Sequence, residues 1–335
     1  MDAAALIEAA RSPLTRAETE ALFHAIFRGE LSEPQIVAYL SATADRKPTV
    51  EELVGAVTAM RAHMRAIEAP AGAIDLCGTG GDGLGTLNIS TAVSFVVAAA
   101  GVKVAKHGNR SASSRSGAAD VLETLGVKLG LEPAAAERVL AEAGIVFLFA
   151  QTHHPAMRHV GSARKQIGRR TIFNLLGPLA SPARVTRQLA GVFSADWLVP
   201  YAQALAALGA ERAWIVHGRD GLDEVSVSAA TQVAALGRGA ITTLELSPEQ
   251  AGLDRHSLAA IAGGDAAHNA AALKALLTGH ADGAYRDIVL LNAAAALMVA
   301  DAVSDIREGV RRAAEALDSG AAQAKLQDLI AASQS

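Results

Sequence analysis

The sequence has 335 residues, of which 51% are hydrophobic and 19% are charged. This balance excludes a disordered chain and predicts a large buried core, and the length suggests about two domains. A net charge of −4 and an aromatic content of only 4% argue against a surface that binds nucleic acid.

The apolar stretches are too short to cross a membrane. The longest, 288–300 and 92–102, are interrupted by Asn292 or end at Lys103, whereas a spanning helix needs roughly 18 residues or more. The N-terminus carries an acid where a signal peptide needs bases, and the single cysteine, Cys77, cannot form an internal disulfide. We therefore expect a cytoplasmic protein that acts without a membrane.

Residues 1–69 predict a small, all-helical domain. A threonine or serine is followed three residues later by Glu or Gln in three capping-box patterns: Thr15 with Glu18, Ser32 with Gln35, and Thr49 with Glu52. The third pattern precedes an apolar stripe at helical spacing, formed by Leu53, Val54, Val57, Met60, Met64 and Ile67. The rest of the chain or a second copy must cover such faces.

After Pro70 the pattern changes to strands that alternate with helices. We predict strands at 74–77, 102–105, 145–150 and 214–217, and helices at 88–100, 118–125 and 202–208. This alternation predicts an α/β domain whose parallel sheet binds ligands at the carboxyl ends of its strands. A basic, helix-like stretch at 159–176 would return to the small domain, so we predict domains of 1–69 joined by about 160–185, and 70–159 with 186–335.

A glycine-rich loop, 78–85, follows the first predicted strand. Its glycines allow tight turns and leave backbone N–H groups free to bind phosphate. The loop contains G-x-G-x-x-G, but Asp82 would repel a pyrophosphate, and the second strand leads to Lys106 instead of the acid typical of a dinucleotide site. A tight strand–helix turn without a ligand remains the alternative.

A basic loop, 106–117, follows the second predicted strand and leads into a helix. It holds three cations and four hydroxyl groups, a combination that suits a polyanion near a helix N-terminus. A solvated loop whose serines cap the helix is the alternative. Two such loops after successive strands favour one shared anion site.

An acidic pair, Asp223-Glu224, follows the predicted strand at 214–217. Paired carboxylates beside phosphate groups are the oxygen ligands that Mg²⁺ prefers. A solvated acidic turn would look the same in the sequence.

Several motifs taken together resemble the anthranilate phosphoribosyltransferase family. They are 78–82 (GTGGD), 88–91 (NIST), 106–110 (KHGNR), 170–179 (RTIFNLLGPL), 223–224 (DE) and 263–266 (GGDA). The likeness covers nearly the whole chain. It implies an α/β fold of the nucleoside phosphorylase and phosphoribosyltransferase type: a small all-helical domain and a larger domain with a mostly parallel central sheet. It also implies a reaction of tryptophan biosynthesis, in which the phosphoribosyl group of 5-phosphoribosyl 1-pyrophosphate (PRPP) moves to the amino group of anthranilate.

The resemblance also implies the site residues. PRPP would contact Gly78, Gly81, Asp82, Thr86, Asn88, Ile89, Ser90, Thr91, Lys106, His107, Gly108, Asn109, Arg110, Ser111, Ala112, Ser113, Ser114 and Ala118. Anthranilate would contact Gly78, His107, Asn109, Arg164 and, near the entrance, His154. Two Mg²⁺ ions would be held by Ser90, Asp223 and Glu224, and the catalytic residues would be Lys106, Asp223 and Glu224. A homodimer through the helical domain is a further implication.

The sequence departs from the family pattern at one position, and two other functions are compatible with the same architecture. Many relatives have a serine where this chain has Ala118, so one hydroxyl contact to PRPP is missing. A pyrimidine nucleoside phosphorylase of the same architecture would bind free phosphate, whereas the acidic pair and the basic loop fit metal-bound pyrophosphate better. A non-catalytic relative that binds nucleic acid is disfavoured by the net charge of −4 and by the intact glycine loop.

Overall fold

The structure is a computed structural model that describes residues 3–111 and 115–335. The chain begins with four helices, α1 (Ala3–Ala9), α2 (Arg16–Phe27), α3 (Glu33–Thr43) and α4 (Val50–Ala62). All three predicted capping boxes are confirmed. The predicted stripe is wrong at its end, because Met64 and Ile67 lie beyond α4. There the backbone bonds to distant residues instead: the N–H of Arg65 donates to His153 at 2.8 Å and that of Ile67 to Pro182 at 3.0 Å.

The larger part of the chain is built on one sheet of seven strands. They are β1 (Ile74–Gly78), β2 (Val104–Gly108), β3 (Ile145–Phe149), β4 (Arg187–Gly191), β5 (Arg212–Gly218), β6 (Thr231–Gly237) and β7 (Ala240–Leu246). The order is β3-β2-β1-β4-β5-β6-β7, with parallel pairing from β3 to β5 and antiparallel pairing beyond. The expected fold class, helical bundle plus mostly parallel sheet, is confirmed.

Two predicted elements need correction. The second strand runs over Val104–Gly108 and not over 102–105, because Lys106 and His107 pair with Phe147 and Leu148 of β3. The basic stretch 159–176 is not one helix: it holds α9 (Gly161–Ile167) and the first part of α10 (Phe173–Leu179), and it breaks where Gly168 adopts a left-handed φ of 62°.

The other helices of the described residues pack on the sheet or on neighbouring helices. They are α5 (Ile89–Ala99), α6 (Ala118–Thr124), α7 (Pro133–Ala143), α8 (Ala150–His153), α9 (Gly161–Ile167), α10 (Phe173–Leu179), α11 (Leu198–Ala207), α12 (Ala266–Leu277), α13 (Ala284–Val299), α14 (Ile306–Asp318) and α15 (Ala321–Gln334). None of the helices in the described ranges is long and apolar enough to cross a membrane.

Two hydrophobic clusters form the core. One joins α5, α13 and α15 to β1–β3, and the other joins α2–α4 to α10, α11 and residues of β4 and β5. Phe23 of α2 lies 5.4 Å from Phe173 of α10, measured between ring centroids. The same cluster contains Ala190 of β4 and Ala213 and Ile215 of β5, so the helical bundle packs on the sheet domain.

Candidate active site

The loops that carry the predicted site residues leave the same edge of the sheet. β1 and β2 are parallel neighbours, so 79–88 and 109–117 both begin at their carboxyl ends. Lys106 of β2 links the two strands: its buried ammonium donates to the carbonyl of Leu76 and, at 3.1 Å, to the hydroxyl of Ser90 on α5. One cation thus lies between the end of β1 and the first turn of α5.

The glycine loop contacts the acidic turn through its backbone. The N–H of Gly80 donates to Oδ2 of Asp223 at 2.9 Å. A Cβ at Gly78 would lie 2.8 Å from the same oxygen, and a Cβ at Gly191, the last residue of β4, would overlap the carbonyl oxygen of Asp223. Glycine is therefore required at Gly191 for the turn to cross the end of β4, whereas a Cβ at Gly78 would displace the carboxylate of Asp223 from the loop after β1.

Three carboxyl groups crowd this edge. Burial, followed by the nearby charge of Asp82, raises the pKa of Asp223, and burial, followed by the charge of Asp223, raises the pKa of Glu224. The positive charge of Lys106 acts in the opposite direction and lowers the pKa of Glu224. A cation bound here would relieve the repulsion between these carboxylates.

The donor chemistry fits a hard divalent cation. Asp223, Glu224 and the hydroxyl of Ser90 supply oxygen ligands of the kind that Mg²⁺ takes. Over 3–111 and 115–335, no group of three His, Cys, Asp or Glu side chains forms a complete metal site. Further oxygens would have to come from water or from a phosphorylated substrate, as is common for Mg²⁺.

The first turn of α5 is fixed by a segment that starts at the GGDA motif. The side chain of Asn269 donates to Oδ1 of Asn88 at 2.8 Å and accepts the N–H of Gly264 at 2.7 Å. Thr86 pairs with Ala262 as an isolated bridge. The segment 262–269, which includes the GGDA motif, therefore holds the end of the glycine loop and the start of α5 in place. The sequence alone did not assign this positioning role.

Two residues of the NIST motif do not present their side chains to the loop. Ile89 and Thr91 are 2% and 1% exposed, and Ile89 belongs to the core cluster around α5. Any contact that they make with a ligand at this edge would use the backbone of the helix N-terminus, where N–H groups point outward.

The basic loop is tied to α6 by carboxylates. Arg110 pairs with Asp120 at 2.8 Å and with Glu123 at 2.9 Å, and Asp120 accepts the N–H groups of Gly117 at 2.8 Å and Ser111 at 3.3 Å. The charge of Arg110 is thus already balanced. Ala112, Ser113 and Ser114 lie outside the described residues.

Two buried histidines, His107 and His154, lie near the end of β2. The rings of His107 and His154 have centroids 5.1 Å apart, and 5% and 4% of these residues are exposed. Burial and then the neighbouring histidines lower the pKa of His107, and burial lowers that of His154 to about 4, so both rings are neutral at pH 7.

Arg164 of α9 is half-buried. Its guanidinium lies 5.7 Å from the ring centroid of Phe173, and burial lowers its pKa below that of a free arginine. Asn109, in contrast, is exposed, and its Oδ1 accepts the N–H of Arg110 at 2.8 Å.

Sequence reasoning missed two residues that hold this edge together. Asp75 of β1 is fully buried and accepts the N–H of His107 at 2.9 Å, and burial raises its pKa to about 6. Its signal was available, since an acid inside a buried strand requires a partner. Arg170 donates to the carbonyl of Gly81, and its guanidinium stacks 4.3 Å above the ring of Phe193; nothing in the spacing indicated this.

Comparison with known proteins places this site in a class. Residues 71–323 match the model of the glycosyl transferase family a/b domain, and 5–64 match that of the helical bundle domain of the same family. Both parts of a two-domain glycosyl transferase are therefore present, in the order in which the fold shows them.

Individual relatives narrow the class. The anthranilate phosphoribosyltransferase of Beijerinckia indica subsp. indica is 58% identical over 96% of this chain and 94% of its own length. The solved enzyme of that name from Thermus thermophilus is 41% identical, with a TM-score of 0.94 over 100% of both chains. That from Saccharomyces cerevisiae, in complex with PRPP and Mg, is 29% identical, with a TM-score of 0.88 over 96% of this chain and 94% of its own. The chain belongs to the anthranilate phosphoribosyltransferase family, as its motifs predict.

Proposed function

We propose that this protein transfers the phosphoribosyl group of PRPP to the amino group of anthranilate and releases pyrophosphate, a step of tryptophan biosynthesis. The observation that carries the proposal is the meeting of the glycine loop, Lys106 and the acidic turn at one edge of the sheet, with the N–H of Gly80 bonded to Asp223 at 2.9 Å. The yeast relative of the same family is described in complex with PRPP and Mg.

In this proposal the diphosphate of PRPP lies between the glycine loop, the basic loop and the N-terminus of α5. Backbone N–H groups of 81–83, the hydroxyl of Ser90 and the ammonium of Lys106 would bind its oxygens. Lys106 already donates to Ser90 at 3.1 Å, so the cation and the helix terminus would act on the same group.

Two Mg²⁺ ions are proposed at Asp223, Glu224 and Ser90. Bound magnesium neutralises the charge that develops on pyrophosphate as it leaves. The raised pKa values of Asp223 and Glu224 support this assignment, because carboxylates that repel one another gain most from a cation between them.

Anthranilate is proposed to lie near His107, Asn109, His154 and Arg164. A guanidinium fork binds a carboxylate through two parallel hydrogen bonds, which suits Arg164. The neutral rings of His107 and His154 would provide hydrogen-bonding groups and a flat apolar wall without adding a second charge.

The reaction needs no strong base, since an aniline-type nitrogen is neutral and nucleophilic at pH 7. The contribution of this chain is to hold that nitrogen in line behind C1 of the ribose and to stabilise the departing diphosphate. Lys106 and the loop N–H groups stabilise the departing diphosphate, because they are already in place before the bond from C1 to the diphosphate breaks.

The direct test mixes purified protein with PRPP, Mg²⁺ and anthranilate and follows the loss of anthranilate fluorescence. We expect turnover that requires all three additions. Thymidine with phosphate, a DNA duplex and NADH serve as comparison ligands, and activity or binding with one of them in place of PRPP would contradict the proposal.

The remaining expectations concern assembly and location. We propose a homodimer through the helical domain and a cytoplasmic protein. Light scattering on the eluted protein tests the first, and fractionation of cells that express the native protein tests the second.

A further inference from the structure

Asn292 places a polar amide in the apolar middle of α13. It is fully buried, and so are its neighbours Leu291 and Ala293. Burying an amide costs free energy unless its hydrogen bonds are replaced. The buried amide of Asn292 therefore needs hydrogen-bond partners within the fold.

That partner is the backbone next to the acidic pair. Oδ1 of Asn292 accepts the N–H of Val225 at 2.9 Å, and Nδ2 donates to the carbonyl of Val225 at 2.8 Å and to that of Ile288 at 2.8 Å. One side chain thus holds both backbone polar groups of the residue that follows Glu224.

The rest of the turn is also fixed. Ser226 donates its N–H to Thr231 at 2.8 Å and its hydroxyl to Asp220 at 2.5 Å, and Asp220 accepts the N–H of Leu222 at 3.2 Å. These bonds lie within 220–231, whereas Asn292 ties the turn to a helix that packs on β4 and β5. Asn292 therefore sets where the turn lies relative to the sheet and the glycine loop.

We propose that Asn292 is a positioning residue for the acidic pair: by clamping Val225, it aims Asp223 and Glu224 at the metal and so sets the affinity for magnesium. It acts through the backbone and touches no reacting atom. The inference rests on the proposed function of the site.

The test is Asn292→Leu, which keeps the approximate volume but removes all three hydrogen bonds. We expect the Mg²⁺ concentration for half-maximal activity to rise about tenfold, the loss typical of supporting residues around metals. The KM for anthranilate should not change, because the clamp does not reach Arg164 or the histidines. Mn²⁺ binding in the presence of PRPP, followed by electron paramagnetic resonance, should weaken by the same factor of about ten.

The matched control is Ser333→Ala on α15. Ser333 is also buried and also clamps backbone, accepting the N–H of Lys128 at 3.1 Å and donating to Ile330 at 2.9 Å. It should lower thermal stability without changing Mn²⁺ affinity. Equal shifts in Mn²⁺ affinity for the Ser333 and Asn292 variants would overturn the proposal, since both would then reflect general destabilisation.

If Asn292→Leu does not fold, two further variants test the positioning role. Asn292→Asp keeps an acceptor for Val225 N–H and loses the amide donor, and Thr231→Val loosens Ser226; each should weaken Mn²⁺ binding at least about threefold. Unchanged Mn²⁺ affinity in folded Asn292 variants would overturn the positioning role of Asn292 but not the proposed function. Wild-type protein that binds no Mn²⁺ with PRPP overturns the proposed function as well.

Discussion

The N–H of Gly80 donates to Oδ2 of Asp223 at 2.9 Å, across 143 residues of sequence. The two residues follow β1 and β5, which are separated in the sheet by β4. Contact is possible because β4 ends in Gly191, over which the turn passes without meeting a side chain. The relationship joins a predicted anion-binding loop to a predicted metal-binding turn.

Removing the charge of the acidic pair tests this joint site. Asp223→Asn combined with Glu224→Gln should lower kcat by about a hundredfold or more at saturating substrates, because preorganised charge stabilisation of the leaving group is lost. Circular dichroism should show a folded protein. The exposed pair Asp254→Asn with Asp282→Asn removes the same charge elsewhere and should leave kcat unchanged; near-normal turnover of the first double variant at high Mg²⁺ would refute the metal assignment.

The stability of the metal-free protein should depend on the same carboxyls. Their pKa values are raised on folding, so the folded state holds more protons than the unfolded state, and stability falls as pH rises from the ordinary carboxyl range through the raised values. The Asp223→Asn and Glu224→Gln double variant should lose less stability over that window. Thermal unfolding at a series of pH values measures this, and parallel curves for the two proteins would contradict the assigned shifts.

Arg164 should govern the affinity for anthranilate. Arg164→Lys retains the charge but loses the planar fork, so the KM for anthranilate should rise about tenfold or more while that for PRPP is unchanged. Lys165→Gln, an exposed neighbour on α9, is the control and should have no effect. An equal rise in both KM values would indicate a general distortion of α9.

Ala118 offers a gain-of-affinity test. Ala118→Ser should add one hydrogen bond of about 1 kcal/mol, and so lower the KM for PRPP about fivefold. Steady-state kinetics with PRPP as the varied substrate measure this, with the KM for anthranilate as the internal control. A Cβ built at Gly108 would lie 3.5 Å from the Cβ of Ala118; a higher KM for PRPP in Ala118→Ser would show that the hydroxyl does not fit in this space.

Much of the architecture followed from local patterns. Thr15 and Thr49 marked helix starts because capping satisfies backbone groups within four residues. β4, β6 and β7 were missed. β4 carries Arg187 and Gln188 in a run of five residues, whereas β7 has the β-branched residues that favour a strand and could have been predicted.

The site was predictable only where a motif carries its own chemistry. Lys106, Asp223 and the glycine loop could be singled out from residue type and position after strands. The clamp by Asn292 and the stacking of Arg170 on Phe193 could not be predicted, because they join segments far apart in the sequence. The pattern of residues within one segment does not indicate such contacts. Similarly, the balancing of Arg110 by Asp120 and Glu123 appears only once α6 is folded against the loop.

The most direct test of the account is a crystal structure with PRPP and Mn²⁺ in place of Mg²⁺, using the anomalous signal of manganese. We expect manganese bound to Asp223 and Glu224, with the diphosphate against the glycine loop and Lys106. Manganese that contacts neither carboxylate, or PRPP bound away from the ends of β1 and β2, would contradict the central claim.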